Sequence, residues 1–355
     1  MNNKQLIDIL EKQRHLEREQ WVQLFESYTD EDREYAAQKG REAAIANFSK
    51  SIFIRGIVEF SNVCKNDCYY CGIRKSNANC ERYRLTKQQI LECCDAGYEY
   101  GFRTFVLQSG EDKSYTTDKL CEVVCDIKKA HPDCAVTLSV GELEYEDYKR
   151  LFDAGADRYL LRHETASEEH YKKLHPGEMS WRHRMDCLEM LHEIGFQTGC
   201  GMMVGSPFQT VEDLARDMLF IERFKPEMIG IGPFLSHKDT PFGDKPAGSY
   251  ELTLFLISLC RLMLPDCLIP ATTALGTIRP DGREKGVLAG ANVIMPNLSP
   301  MNVRKNYLLY NNKTGTDVEA KNGREDLERR MESIGYKVEI TRGDHKSYDK
   351  DSSLR

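Results

Sequence analysis

The chain has 355 residues, 41% of them hydrophobic and 30% charged, with 49 Lys+Arg against 56 Asp+Glu. The net charge of −7 excludes a strongly basic nucleic-acid binder, and no run approaches the roughly 18 uncharged apolar residues of a membrane span. The length exceeds an average domain yet suits one α/β barrel with extensions, and a core of that size needs no disulfides. The opening Met1-Asn2-Asn3-Lys4-Gln5-Leu6 lacks an apolar signal core, so a cytoplasmic location is expected, with neither nucleic acid nor membrane as partner. The 13 cysteines are odd in number and irregularly spaced, which argues for metal or redox use of some of them rather than a secreted disulfide framework.

The first fifty residues read as helices, because Leu6, Ile9 and Leu10, then Leu16, Trp21, Leu24 and Phe25, recur at helical spacing. Asp30 is placed to cap a third helix over 33–48. From residue 52 the pattern becomes strand and helix in alternation. Strand-like runs at 52–60, 104–108, 135–140, 158–163, 197–204, 228–232, 268–271 and 291–295 are separated by amphipathic segments such as 87–100, 118–130, 145–154, 211–224 and 251–264. This predicts an α/β fold, a (β/α)8 TIM-type barrel with an N-terminal helical extension; an open doubly wound sheet competes, since periodicity alone cannot show closure. The expected units are a helical extension over 1–50, the barrel over 51–300, and a segment over 301–355 that closes the barrel and ends in a polar tail. Residues 324–334 read as one helix and 342–355 as a loose end. Cys93, Cys94, Cys121, Cys125, Cys187, Cys260 and Cys267 fall on or beside apolar stretches and read as small buried hydrophobes.

Directly after the first strand comes Cys64-Lys-Asn-Asp-Cys68-Tyr-Tyr-Cys71. In a barrel, the loop at a strand's C-terminal end is where chemistry is built. Thiolate sulfur suits zinc or an iron–sulfur cluster. A structural zinc site wants four ligands, and Cys80 lies near enough to be the fourth. Three cysteines on a 4Fe-4S cluster would leave one iron open to bind something else. Three free or packed thiols are the remaining alternative.

The C-x3-C-x2-C spacing, with the aromatic Tyr70 before the last cysteine, resembles the signature of the radical S-adenosylmethionine superfamily. Further segments narrow the resemblance to the HydE family of FeFe-hydrogenase maturases over roughly 50–310. They are Gly72-Ile-Arg-Lys-Ser-Asn, Arg82-Tyr-Arg-Leu-Thr86, Val106-Leu-Gln-Ser-Gly-Glu-Asp112, Thr137-Leu-Ser-Val-Gly-Glu142, Arg158-Tyr-Leu-Leu-Arg-His-Glu-Thr165, Gly230-Ile-Gly-Pro-Phe234 and Pro270-Ala-Thr-Thr-Ala-Leu-Gly-Thr277. The resemblance implies a 4Fe-4S cluster on Cys64, Cys68 and Cys71 whose open iron chelates S-adenosylmethionine. Reductive cleavage of that cofactor would give a 5′-deoxyadenosyl radical. It further implies that Tyr70, Gln108, Ser109, Gly110, Glu111, Glu164, Arg184 and Met203 bind the cofactor. Glu111 would accept from the methionyl amino group, and Arg184 would meet the methionyl carboxylate. Arg162, Thr137, Ser139, Thr272 and Thr273 would face the substrate.

Period two puts Leu160, Arg162 and Glu164 on one strand face, Arg55 and Glu59 on another, and Thr137 with Ser139 on a third. Charges on an interior face are costly unless paired or engaged by a ligand. Gly199, Gly201 and Met203 are expected to leave room for a bulky nucleoside, and His237 reads as a loop residue as readily exposed as functional. Some HydE relatives carry a second iron–sulfur cluster in the C-terminal segment; here Cys267 is the last cysteine, so its ligands are missing. The resemblance implies an organometallic iron–carbonyl–cyanide substrate bound to cysteine, an external electron donor, and other hydrogenase maturation proteins as partners. Methylornithine synthase or biotin synthase chemistry is the nearest rival, and a non-catalytic cluster scaffold or zinc-stabilised binding protein the rival from another class.

Overall fold

The computed structural model describes residues 1–315 and 320–348. Three helices come first: α1 (Asn3–Gln13), α2 (Arg18–Ser27) and α3 (Asp30–Phe48). Thr29, not Asp30, caps α3. Its side chain accepts from the Asp32 amide while the Asp32 carboxylate accepts from Thr29 N at 2.9 Å, and Asp30 is the first helical residue. The spacing that suggested helices also fixes their packing, since Leu6, Leu10, Trp21 and Leu24 are fully buried. Helix α3 lies against α10 (Tyr250–Met263). Gly40 permits this approach, because a Cβ there would stand 2.9 Å from Ala289 O and 3.1 Å from Ser258 Cα.

A parallel six-stranded sheet runs β2 (Gly56–Ser61), β3 (Thr104–Ser109), β4 (Ala135–Ser139), β5 (Arg158–Leu160), β6 (Gln197–Cys200) and β8 (Met228–Ile229). Strand β1 (Ser51–Ile54) leads into β2 and pairs in parallel with β10 (Val293–Ile294) and β11 (Lys337–Glu339). The short strands β7 (Met203–Val204) and β9 (Gly232–Pro233) extend β6 and β8 at the same end and pair with each other. Past β8 the pairing thins to single parallel bridges, Met228 with Leu268, Pro270 with Val293, and Ile57 with Asn297. Crossover helices follow the strands: α4 (Lys87–Glu99), α5 (Thr117–Ala130), α6 (Tyr145–Asp153), α7 (Glu168–Leu174), α8 (Trp181–Ile194), α9 (Val211–Phe224) and α10. Helices α11 (Thr273–Ile278), α12 (Gly282–Leu288), α13 (Met301–Arg304) and α14 (Ala320–Ser333) complete the chain. No helix among the described residues is long and apolar enough to cross a membrane.

In a parallel sheet, residues in register point to the same face. One register row contains Ile57, Val106, Thr137, Arg158 and Gln197; another contains Glu59, Gln108 and Ser139. Polar side chains therefore share a face with apolar ones. On the opposite face Val58, Leu107 and Leu138 are buried in the main apolar core beneath the helices.

The C-terminal end is not loose where it is described. Residues 342–348 plug the N-terminal end of the sheet. Arg158, fully buried, donates to Asp344 at 2.5 Å, to Arg342 O at 2.8 Å and to Thr104 Oγ1 at 3.0 Å. Arg342 pairs with Asp157 and with Asp344, both at 2.7 Å, and Gln197 donates to Asp344 at 2.9 Å. This polar sequence reads as solvated, but Arg342 and Asp344 are matched by the buried Asp157 and Arg158, far away in the chain. The remainder of that expected tail, 349–355, lies outside the described residues.

Burial alone would raise the Asp344 carboxyl, but Arg158 and Arg342 more than reverse this and hold it well below the usual carboxylate range. A carboxylate depressed on folding stabilises the protein fully above its unfolded pKa, and the contribution fades as pH falls below it. Asp344→Ala should cost about 3–5 kcal/mol near neutral pH, since it leaves Arg158 buried without its carboxylate. The difference in melting temperature from the unaltered chain should persist down to about pH 4 and shrink below it; thermal melts across that range test both statements.

Candidate active site

The segment after β2 has no regular structure and carries Cys64, Cys68 and Cys71, all half-buried. Its shape is set by neighbours. Gly110 N donates to Ser61 O at 3.0 Å, Lys65 N to Glu111 O at 2.9 Å, Tyr69 N to Leu174 O at 3.0 Å and Gly72 N to Leu309 O at 2.9 Å. A Cβ on Gly110 would stand 2.4 Å from Val63 O and 2.8 Å from Cys64 Cβ; one on Gly72 would stand 2.1 Å from Leu308 O. Arg82 binds the loop together by donating to the carbonyls of Asn62 (2.6 Å), Ile73 (2.8 Å), Arg74 (2.6 Å) and Asn77 (3.3 Å). Asp112 anchors its base, taking Ser61 Oγ at 2.6 Å and Arg84 through two nitrogens. Burial pushes the Cys71 thiol up to about 12, and burial followed by the nearby Cys71 and Cys64 pushes Cys68 up as well.

Around the loop, the expected cofactor-binding residues divide into those that meet and those that pack. Ser109 and Glu111 flank Gly110 at the end of β3, and Glu111 pairs with Lys65 at 2.9 Å. Arg184, buried on α8, pairs with Glu142 through Nε at 2.6 Å. Burial would lower Arg184, but the Glu142 carboxylate outweighs it; burial raises Glu142 despite that arginine. Tyr70 lies beside buried Met203, and its hydroxyl is 3.1 Å from Nε2 of His175. The other ring nitrogen of His175 is 3.0 Å from Tyr171 O, and burial pushes the ring down to about 3. Glu142, Lys65 and His175 were missed as site residues. Glu142 stood within a quoted motif, but its partner lies 42 positions away in sequence.

Gln108, Thr137 and Ser139 occupy the polar face of β3 and β4 by register. The β5 alternation holds less far than expected. The strand ends at Leu160, and Glu164 adopts φ +64°, a left-handed conformation that costs a non-glycine residue about 1–3 kcal/mol. Arg162 and Glu164 nonetheless meet, at 2.7 Å, across the turn that follows. Thr272 sits at the N-cap position of α11 and Thr273 is its first residue, so neither ends a regular strand. Room for a nucleoside at Gly199 and Gly201 is not there: a Cβ on Gly199 would stand 2.6 Å from Leu160 Cδ1, and one on Gly201 2.1 Å from Gly230 O. Those glycines admit protein. Arg55 and Glu59 are both buried. Arg55 lies 2.8 Å from Met228 Sδ, while Glu59 accepts from Asn297 at 2.8 Å and pairs with Lys313. His237 is buried against Gly72 rather than exposed.

These residues fit an iron–sulfur cluster with a polar organic ligand. Among the described residues no three His, Cys, Asp or Glu side chains converge on one point as ligands of a single ion would; a 4Fe-4S cluster asks instead for one thiolate at each of several corners. The buried atoms Thr137 Oγ1, Thr272 Oγ1 and Arg162 Nε find no hydrogen-bond partner among the described residues. Each such group costs about 1–3 kcal/mol unless something satisfies it, as a polar ligand would. Gly110→Ala should drive Val63 and Cys64 out of place. Iron bound after anaerobic reconstitution is expected to fall to well under half that of the unaltered protein, with secondary structure by circular dichroism unchanged.

Known proteins agree with this chemistry. The model of the Radical SAM superfamily matches residues 58–221. The chain is 49% identical to the [FeFe] hydrogenase maturase subunit HydE of Thermotoga maritima, over 74% of each chain. It is 30% identical to 3-methylornithine synthase of Methanosarcina acetivorans, over 77% of each chain. Its fold is that of the crystal structure of methylornithine synthase (PylB), with a TM-score of 0.78 at 24% identity, covering 94% of this chain and 97% of that one. Three thiols on one loop, a carboxylate and an arginine set beside them and the extent of the HydE match together place the chain in the radical S-adenosylmethionine superfamily, within the family of the FeFe-hydrogenase maturase HydE.

Proposed function

We propose that this protein cleaves S-adenosylmethionine reductively at a 4Fe-4S cluster held by Cys64, Cys68 and Cys71, and so helps to build the di-iron subcluster of FeFe-hydrogenase. The observation that carries this is the cysteine loop, whose three thiols are fixed by backbone contacts to β3 and to residues 308–309. When bound, the cluster and its cofactor supply an electron and a site for homolytic cleavage of a carbon–sulfur bond. The chain supplies placement. Glu111 offers a carboxylate to the methionyl amine, and Arg184, with Nε tied to Glu142, offers further N–H groups to the methionyl carboxylate. Thr137, Ser139, Thr272 and Thr273, with Arg162, give donors to a polar substrate on the sheet's inner face. The backbone of Leu308 and Leu309 packs against Gly72 at the end of the cysteine loop.

The substrate in this reading is an iron–carbonyl–cyanide species bound to cysteine, and the electron comes from an external donor in the cytoplasm. The single bridges beyond β8 return pairing from Met228 through Leu268, Pro270 and Val293 to Asn297 beside Ile57, which supports an eight-stranded ring. In this reading residues 51–300 are the barrel and 1–50 a helical extension, and the described residues 301–315 and 320–348 close it. The 3-methylornithine synthase match supports a second reading, the same cofactor chemistry on an amino-acid substrate. Complementation separates them: cells lacking HydE should regain hydrogenase activity with this chain, whereas failure with intact cofactor cleavage would favour the second reading.

Cys64→Ala, Cys68→Ala and Cys71→Ala should each abolish the 4Fe-4S signal and cofactor cleavage together, because three ligands leave no redundancy. Cys80→Ala, Cys93→Ala and Cys94→Ala should keep both. Cys93 and Cys94 are buried on α4, and Cys80 is 3.5 Å from Asn62 Nδ2. Electron paramagnetic resonance with metal analysis after reconstitution decides this: roughly four irons per chain are expected, and one tightly held zinc lost with Cys80 would sink the proposal.

A further inference from the structure

The left-handed Glu164 is not held by its own ion pair alone. Its backbone N donates to Gly201 O at 3.0 Å, and it bridges to Met202 on the neighbouring chain segment. Gly201 in turn donates its own N–H to Nδ1 of His163 at 3.2 Å. A backbone N–H can only donate, so Nδ1 must accept, and the imidazole proton is fixed on Nε2. Nε2 lies 3.3 Å from Oδ1 of Asp217, on α9, a close contact that is not aligned as a hydrogen bond, and both side chains are fully buried. The same Asp217 oxygen accepts from Ala166 N at 2.5 Å, on the far side of Glu164. Phe220 meets the imidazole ring edge at 4.7 Å between centroids, which leaves it no room to swing. His163 and Asp217 thus grip the turn 162–166 from both ends, around the one residue in it whose backbone is strained.

We infer that His163 and Asp217 are positioning residues, which hold Glu164 in the left-handed conformation that aims its carboxylate at the bound S-adenosylmethionine. This rests on the reading above that Glu164 touches that cofactor. Neither side chain can do so itself, since neither has any exposed surface. Their arrangement resembles the tautomer-fixing role of a carboxylate behind a histidine, but its product here is a backbone conformation rather than a proton transfer. A buried polar pair serving only packing would be replaceable by apolar side chains of similar volume at little cost to ligand affinity.

The test measures S-adenosylmethionine affinity by equilibrium binding to the cluster-loaded full-length protein, beside melting temperature. His163→Leu should raise the dissociation constant about tenfold, equivalent to ~1.4 kcal/mol. His163→Asn, whose Oδ1 can stand where Nδ1 stood and accept from Gly201 N, should bring it back to within about threefold of the starting value. His163→Gln, which reaches toward Asp217 but places no acceptor at the Nδ1 position, carries the same expectation as leucine should the leucine variant not fold. In a Glu164→Ala background His163→Leu should have no further effect, because a residue acting through Glu164 has nothing left to position. Unchanged affinity in His163→Leu, or a loss that adds in full to that of Glu164→Ala, would overturn the inference while leaving Glu164 as a cofactor contact. If Glu164→Ala alone binds like the unaltered protein, the reading of Glu164 fails and takes the inference with it.

Discussion

Everything at the candidate site depends on an irregular stretch of backbone being held as firmly as a strand. Cys64 to Cys71 make no helix or ladder of their own, so their hydrogen bonds must go elsewhere. Lys65 N goes to Glu111 O just past β3, Tyr69 N to the last residue of α7, Tyr69 O accepts from Phe242 N, Cys71 N turns back to Cys68 O, and Gly72 N, next in the chain, goes to Leu309 O. Two close approaches make this possible, at Gly110 and Gly72, where any side chain would collide with backbone. Arg82 finishes the work by meeting four carbonyls at once, a use of the planar guanidinium that a lysine could not copy. The loop is thus held by contacts from several separate parts of the chain.

Both ends of the sheet bury charged and hydroxyl side chains. At the N-terminal end, Arg158, Arg342, Asp157 and Asp344 form a network with Gln197 and Thr104, while Arg55 is buried nearby with two guanidinium nitrogens that find no partner among the described residues. Past the C-terminal ends of the strands, Thr272 and Arg162 each keep a buried atom unmatched among the described residues, as does Thr137 in the register row of Arg158. Buried polar groups in native proteins are nearly always satisfied.

Much of this was legible in the sequence. Short-range features were the clearest: the helices of the first fifty residues, the succession of strands, the cysteine spacing, and the nearness of Arg162 to Glu164, which sit two residues apart. What the sequence hid is long-range. Asp344 meets Arg158 across 186 positions, and Lys313 meets Glu59 across 254. Periodicity carries no information about such pairs, so a charged end was read as solvated. Gly199 and Gly201 misled for a related reason. A missing side chain shows that something comes close, not what it is; here it is Leu160 and the backbone of Gly230.

The short turn from Leu161 to Thr165 gathers most of these constraints. Leu161 N is still bonded to Gly199 O at 2.9 Å, as in a strand. Three residues later the backbone has crossed to φ +64°. Between them, Arg162 turns toward Glu164, its carbonyl lies 3.4 Å from Arg184 Nη1, and His163 points away into the core. A regular strand would have sent Arg162 and Glu164 the same way, about 7 Å apart along the strand. Bending the strand brings the arginine, the glutamate and the end of α8 toward one place, and the cost of the bend is met in the core by His163, Gly201 and Asp217. The turn is therefore made where regular structure stops, and the sheet and helices packed around it make that interruption tolerable.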